Sequence, residues 1–496
     1  MDKYVIGLDN GGTIIKAALF DLSGKEIMVA SRQTPILTPK SGYTERDMEY
    51  LWQCNCACVK EIIDSRIIEA KDVIGIAVCG HGKGLYAWGK EDAPARMGIV
   101  STDGRAWEYP KKWKEDGTYE EIHPQICQDL MACQQVSLLA WLKDNEREVY
   151  DNIKWVFSVK DYIRFRLTGE AYCEATDISG SGLMDVKNAR FDKELLKKYG
   201  IDEVYEKLAP IKYSYEKCGS ITEEAAINTG LLKGTPVAGG MFDIDASAIA
   251  LSVTTPREMC TIAGTWSINE YIAKAPVMDG SIAMNSLYAI PGYYLVEECS
   301  ATSAGNLEWF IKEFLDEDTT YDQINQWVSE TKPEETDIYF LPFLYASNAH
   351  PLGKGSFVGM TLFHKRRHIV RAIYEGVAYS HKTHIDRLLS ARDKPECIRM
   401  AGGVVNSKVW VQMFADILNM PIETVNVKEL GALGCGMAAS VAAEVYENYE
   451  EAAQKMVHIS QRIMPNPENV KIYQKKYEKY KKVSGALDTV WSEFTV

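Results

Sequence analysis

Several familiar signatures are missing from this sequence. It has no GxxxxGK[ST], so it is not a P-loop protein, and no GxGxxG follows its first strand, which disfavours a dinucleotide-binding site. Its eight histidines form no HExxH or related metal set. No apolar run reaches the roughly 18 residues of a membrane-spanning helix. The nearest, Gly431 to Tyr446 ("GALGCGMAASVAAEVY"), reads as a small-residue helix packed closely on its neighbours. Net positive charge is lacking too: the balance is -14, a field that repels nucleic acid and anionic membranes. No secretory leader is read at the start, because "MDKYVIGLDNGG" is acidic early and enters a strand directly.

Twelve cysteines are scattered through 496 residues, so free thiols in a reducing cytosol are expected. Cys54, Cys56 and Cys58 ("CNCAC") resemble a metal motif. They lie in a helical stretch, where residues two apart do not share a face, and the spacing fits no zinc pattern. The length predicts two large domains.

Apolar periodicity orders the chain. Tyr4 to Asp21 ("YVIGLDNGGTIIKAALFD") reads as a hairpin, with Asn10-Gly11 as the type I′ turn signal. A third strand and a helix over 48–69 follow. Val73 to Gly80 is a continuous apolar run, as in a buried parallel strand, and "HGKG" stands at its carboxyl end, where open α/β sheets gather ligands. Near residue 252 the pattern restarts: "REMCTIAGTWSINEYI" repeats strand, glycine turn with a hydroxyl, strand. Duplication of an α/β domain and two unrelated hairpins both account for it. After residue 447 charged helices close the chain; acids interleave with the lysines, so no basic binding tract forms.

Four glycine turns follow apolar strands: Gly11-Gly12, Gly239-Gly240, Gly264 and Gly402-Gly403. Such turns let backbone N–H groups approach a phosphate. "DNGG" itself reads either as a hairpin turn alone or as a metal–phosphate site through Asp9, the glycines and Thr13. Asp243 opens a helix after Gly239-Gly240. It reads either as a helix N-cap or as the general base that phosphoryl transfer to an alcohol requires. Asp245 is its confounder, two residues on. His81, Lys83, Asp103 and Arg105 are candidates to contact a polyhydroxylated ligand; an ordinary Asp-Gly turn and a satisfied loop histidine are the plain alternatives.

The chain resembles the FGGY carbohydrate kinases over nearly its whole length. "GSFVGMTLFHKRRHIVRAIYE" fits the family's C-terminal signature through Gly355, Phe357, Gly359, Met360, His368, Ile369, Ala372 and Glu375. "GLDNGGTIIKAALFD" looks like its first phosphate hairpin, "IAGTWS" its second, "AGGVVNS" its adenosine turn, and "GGMFDIDASA" the place of its catalytic aspartate, which favours Asp243 over Asp245. The N-terminal signature expects Lys where Leu138 stands. Within the family the likeness is greatest to L-xylulose kinases, which typically carry Gln at the place of His81.

The resemblance implies an α/β chain of two ribonuclease-H-like (actin-like ATPase) domains with a cleft between them. The expected bounds are 1–250 for the sugar-binding domain, 251–446 for the nucleotide domain and 447–496 for closing helices on the second domain. It implies ATP and Mg²⁺ and a homodimer, which the cysteine usage places in the cytoplasm. It also implies phosphorylation of the terminal hydroxyl of a ketopentose, L-xylulose first, with 3-keto-L-gulonate, D-xylulose, erythrulose or erythritol, and glycerol as the alternatives. Asp243 is expected as base and Asp9 as Mg²⁺ ligand. His81, Gly82, Lys83, Asp103 and Arg105 are expected on the sugar. Gly11, Gly12, Thr13, Gly264, Thr265, Gly402, Gly403 and Asn406 are expected on ATP, and Lys16 in a structural role. The same fold also serves as a protein-binding nucleotide switch; the polar "HGKG" and "STDGR" loops and Asp243 argue against that. A sugar-responsive regulator would need a basic helix-turn-helix, and the acidic N-terminus has none.

Overall fold

A computed structural model describes residues 3–494. The chain opens with β1 (Tyr4–Asn10), β2 (Ile14–Asp21) and β3 (Glu26–Gln33), an antiparallel meander. Helix α1 (Met48–Asp64) is capped by Asp47, whose side chain accepts from the Tyr50 N–H. It carries Cys54, Cys56 and Cys58 into the core and ends five residues before the expected limit. Strand β4 (Val73–Gly80) runs parallel to β1, with Asp9 beside Cys79 and Asn10 beside Gly80. Further on come α2 (Val159–Thr168), β5 (Lys217–Ser220), β6 (Pro236–Ala238), the two-residue β7 (Met241–Phe242) and α3 (Asp243–Ala250). The first sheet is ordered β5-β6-β4-β1-β2-β3, and β7 also pairs with β4.

The second half repeats this plan. Strands β8 (Glu258–Ala263), β9 (Ser267–Ala273), β10 (Met284–Leu287) and β11 (Tyr294–Ser300) form the antiparallel part. After α4 (Gly305–Phe314) and α5 (Arg366–Leu388), β12 (Cys397–Ala401) lies parallel to β8 as β4 lies parallel to β1. Then come α6 (Lys408–Leu418), β13 (Ile422–Val425), α7 (Leu430–Ala442) and α8 (Tyr449–Met456). The last elements are β14 (Ile459–Ile463) and α9 (Pro467–Asp488). The sheet order β10-β11-β9-β8-β12-β13-β14 matches the first sheet strand for strand through its centre, which is a duplication and not two unrelated hairpins. No helix of the described residues is long and apolar enough to cross a membrane.

Two differences from the sequence reading are local. The β1–β2 turn is not type I′: neither Asn10, Gly11 nor Gly12 is in the left-handed region that turn requires, and the Gly11 N–H instead bonds the Ile14 carbonyl at 3.1 Å. The segment after 447 is not wholly helical, because Ile459–Ile463 adds an edge strand to the second sheet.

Small residues explain how the halves join. The α7 helix lies directly on the first sheet: a Cβ on Gly7 would stand 1.9 Å from the Ala432 carbonyl oxygen. A Cβ on Gly434 would stand 2.2 Å from the carbonyl oxygen of Ala246 in α3. One buried core therefore runs through both halves, with Val5, Ala77, Ile249, Leu433, Met437, Cys260 and Ala401 in it.

Candidate active site

The chemistry-bearing side chains sit where β1, β4 and β7 end side by side. Their register sets Asp9, Cys79 and Met241 in one row, and Asp243 begins α3 two residues beyond Met241. Asp243 is not a helix cap: Phe242 holds that position and no side chain caps the end. Asp243 is half-buried, and burial pushes its carboxyl well above the usual range, with the charges of Asp9, Asp177 and Glu297 adding to the rise. Asp245 points elsewhere, fully buried, its Oδ1 accepting from the Ala289 N–H at 3.1 Å.

Asp9 is held against the start of α7. A Cβ on Gly431 would stand 2.8 Å from Asp9 Oδ2, so glycine there lets that carboxylate come close to the helix start. Burial pushes Asp9 up to about 6, against the Cys79 thiol hydrogen bond and the Lys16 charge, which lower it. Lys16 itself is engaged at 2.8 Å with Glu429, just before α7, and ties the hairpin to the second half. Asn10 exchanges two hydrogen bonds with Asn55, at 2.8 and 3.1 Å, which anchors the hairpin to α1.

Arg46 was not found by sequence reasoning, and no local motif marks it. Its buried guanidinium donates to the carbonyl oxygens of Gly11 and Gly12, gripping the turn from behind. Asp103 and Arg105 hold the segment that delivers Arg46. The Thr44 N–H donates to Asp103 Oδ2 at 2.7 Å, and Arg105 Nη2 donates to Glu45 at 2.8 Å. Arg105 and Asp103 also pair with each other at 2.9 Å, under the Tyr43 ring.

His81 is buried with both ring nitrogens engaged. Nδ1 lies 3.3 Å from the Gly82 carbonyl and Nε2 3.1 Å from the Tyr86 hydroxyl. Burial, with the Arg46 cation nearby, pushes its pKa down to about 4, so the ring is neutral at pH 7. A carbonyl only accepts, so the proton stands on Nδ1 and Nε2 accepts from Tyr86. Gly82 faces the Phe242 ring, where a Cβ would come within 2.5 Å. Lys83 is half-buried with no carboxylate within 4 Å among the described residues. Glu297 of the second half and Asp243 of the first are the acids that act on it.

In the second half, Gly264 and Thr265 form the β8–β9 turn, and Thr265 lies beside Gly305 at the start of α4. Gly402, at φ 92°, packs its backbone on Ala263 and Gly264; a Cβ there would stand 2.4 Å from the Ala263 carbonyl. Gly12, Gly264 and Gly403 face open space. A 220 Å³ pocket beside the second turn is lined by Gly403, Asn406, Ser407, Tyr374 and Trp410, the last two stacked at 4.0 Å. The open glycine faces, this flat-walled pocket and the Asp9 carboxylate fit a nucleotide with a divalent cation at its phosphates. A larger, open groove around Lys274 and Arg392 lies among other residues altogether.

Residues 4–250 match the N-terminal domain of the FGGY family of carbohydrate kinases, and residues 259–443 match the C-terminal domain. The chain belongs to the FGGY family of carbohydrate kinases. This kinase is 38% identical to the L-xylulose/3-keto-L-gulonate kinase of Escherichia coli K12 over 489 residues, 98% of each chain. It is 36% identical to a probable L-xylulose kinase of Pasteurella multocida, over 98% of this chain and 99% of the other. Among solved structures, the ligand-bound xylulose kinase of Lactobacillus acidophilus superposes with a TM-score of 0.91 at 25% identity, over 99% and 100% of the two chains. The kinase is thus a two-domain sugar kinase of a family that uses ATP.

Proposed function

We propose that this kinase transfers the γ-phosphoryl group of ATP to the terminal hydroxyl of a ketopentose, turning L-xylulose into L-xylulose 5-phosphate. The observation that carries the mechanism is Asp243, set at the start of α3 among the ends of β1, β4 and β7, with no cap duty to consume its carboxylate. The choice of sugar rests on the two relatives named for L-xylulose.

In this reading Asp243 accepts the proton of the attacking hydroxyl as the O–P bond forms, and ADP leaves. Gly11, Gly12, Thr13, Gly264 and Thr265 offer backbone and hydroxyl donors to the phosphates. Gly403 and Asn406 border the nucleoside, and Gly402 supports that turn from below. Asp9 would hold Mg²⁺, which when bound supplies charge neutralisation at the phosphates. Lys83 faces the sugar as the one cation of the "HGKG" loop. His81 contributes shape and a neutral ring, because both its nitrogens are taken. Asp103 and Arg105, expected on the sugar, act in this reading on the phosphate turn, by ordering the segment that bears Arg46. A homodimer is part of the same proposal and is read by size-exclusion chromatography with light scattering.

A coupled ATP-turnover screen over ketoses, keto-acids and polyols tests the sugar. L-xylulose is expected to give the highest kcat/KM. A higher value for 3-keto-L-gulonate, D-xylulose, a tetrulose or glycerol would replace it with that substrate.

A further inference from the structure

Five ionisable side chains lie buried together on α2 and on the chain at 174–177. Lys160, Asp161 and Arg164 are on α2; Glu174 caps the short helical turn at 175–179, and Asp177 lies within it. None is more than 2% exposed. The Lys160 ammonium stands 2.7 Å from Asp161 Oδ1, 3.3 Å from Glu174 Oε2 and 3.8 Å from Asp177 Oδ2. Arg164 Nη1 donates to the same Asp161 oxygen at 2.8 Å. Such buried groups stabilise a fold less well than apolar packing of the same volume, so their place in this core asks for another explanation.

The hydrogen bonds that leave the network supply it. Arg164 Nη1 also donates to the carbonyl oxygen of Gly239 at 2.7 Å. The Thr176 hydroxyl donates to Glu174 Oε2 at 2.7 Å and accepts from the Phe242 N–H at 2.9 Å. Gly239 and Phe242 are the two ends of the segment that delivers Asp243. Between them Gly240, at φ 73°, leaves no room for a Cβ, which would stand 1.9 Å from the Val78 carbonyl oxygen. The segment is gripped at both ends and packed hard in the middle.

We propose that this network is the positioning machinery of the catalytic carboxylate, with Thr176 and Arg164 as the two residues that act on Asp243 through the backbone of Gly239–Phe242. The proposal rests on Asp243 being the base. Thr176 and Arg164 touch neither sugar nor nucleotide in it. They fix where the α3 N-terminus begins, and with it the direction in which the carboxylate meets the hydroxyl proton.

Thr176→Val keeps the shape and removes the acceptor; Thr176→Ser restores the hydroxyl. With the full-length enzyme, Thr176→Val is expected to lower sugar-dependent kcat about ten- to a hundredfold, the cost of a misplaced catalytic group. KM for ATP and for the sugar stay at wild-type values, and Thr176→Ser recovers kcat. A merely structural role would raise both KM values along with the loss of kcat, and would overturn the proposal. So would a Thr176→Val enzyme with wild-type kcat. Asp243→Asn, measured alongside, separates the two readings. If it turns over sugar at the wild-type rate, the base assignment itself fails. If it is inactive while Thr176→Val is unimpaired, the positioning network alone fails.

Discussion

The Arg46 guanidinium donates to the carbonyl oxygen of Gly12 from beneath the first glycine turn, while that glycine turns its other face to open space. The turn is therefore rigid on one side and free on the other, as a phosphate cradle needs to be. Arg46→Met removes a buried charge and frees both turn carbonyls. It is expected to raise KM for ATP about tenfold and to lower unfolding free energy by about 2 kcal/mol. Steady-state kinetics and urea titration check the two effects. An unchanged KM for ATP would show that the turn does not serve the nucleotide.

Two close-packed glycines where β1 meets α7 give opposite expectations. Gly7→Ala drives a Cβ into the Ala432 backbone, where nothing flexible yields, so a loss of about 3 kcal/mol in stability is expected. Gly431→Ala meets the end of the Asp9 side chain instead. That variant is expected to fold and to need more Mg²⁺ for half-maximal rate. Thermal melts and a Mg²⁺ titration distinguish them; a Gly431→Ala enzyme with unaltered Mg²⁺ dependence would remove Asp9 from the metal site.

The pH profile follows from the surroundings of Asp243. A base works deprotonated, and burial first, then the charges of Asp9 and Asp177, hold its proton above the usual carboxylate range. Sugar-dependent kcat/KM is therefore expected to fall on acidification while the pH is still well above the ordinary value of about 4. Asp177 is itself pushed up to about 7 by burial and loses its charge as the pH falls, so the neighbour to remove is Glu297. Glu297→Gln takes away an acid that raises Asp243 and is expected to move that limb down. A limb that stays in place in Glu297→Gln would contradict the assignment.

The nucleoside pocket is tested apart from the sugar. Asn406→Ala takes a polar group from its wall and is expected to raise KM for ATP severalfold with KM for sugar unchanged. An effect on the sugar alone would place the adenine elsewhere.

Much of this was legible in the sequence because the signals are local. The Val73–Gly80 strand and the paired hairpins announce themselves by apolar periodicity and glycine turns, and Asp243 by what precedes it. What escaped depends on partners far along the chain. Arg46 reaches the turn only because Asp103 and Arg105 hold its segment, and α7 returns from residue 430 to lie on β1. The grip of Thr176 on Phe242 spans 66 residues. The turn type was misread because Asn-Gly reports a preference for positive φ, while the Ile14 carbonyl and Arg46 hold a different backbone here.

The most direct test of the central claim is the sugar-dependent rate of Asp243→Asn, with sugar binding measured by calorimetry on the same protein. If Asp243 is the base, kcat falls by about a thousandfold while the ketose still binds. A variant that phosphorylates its sugar at near the wild-type rate would contradict it.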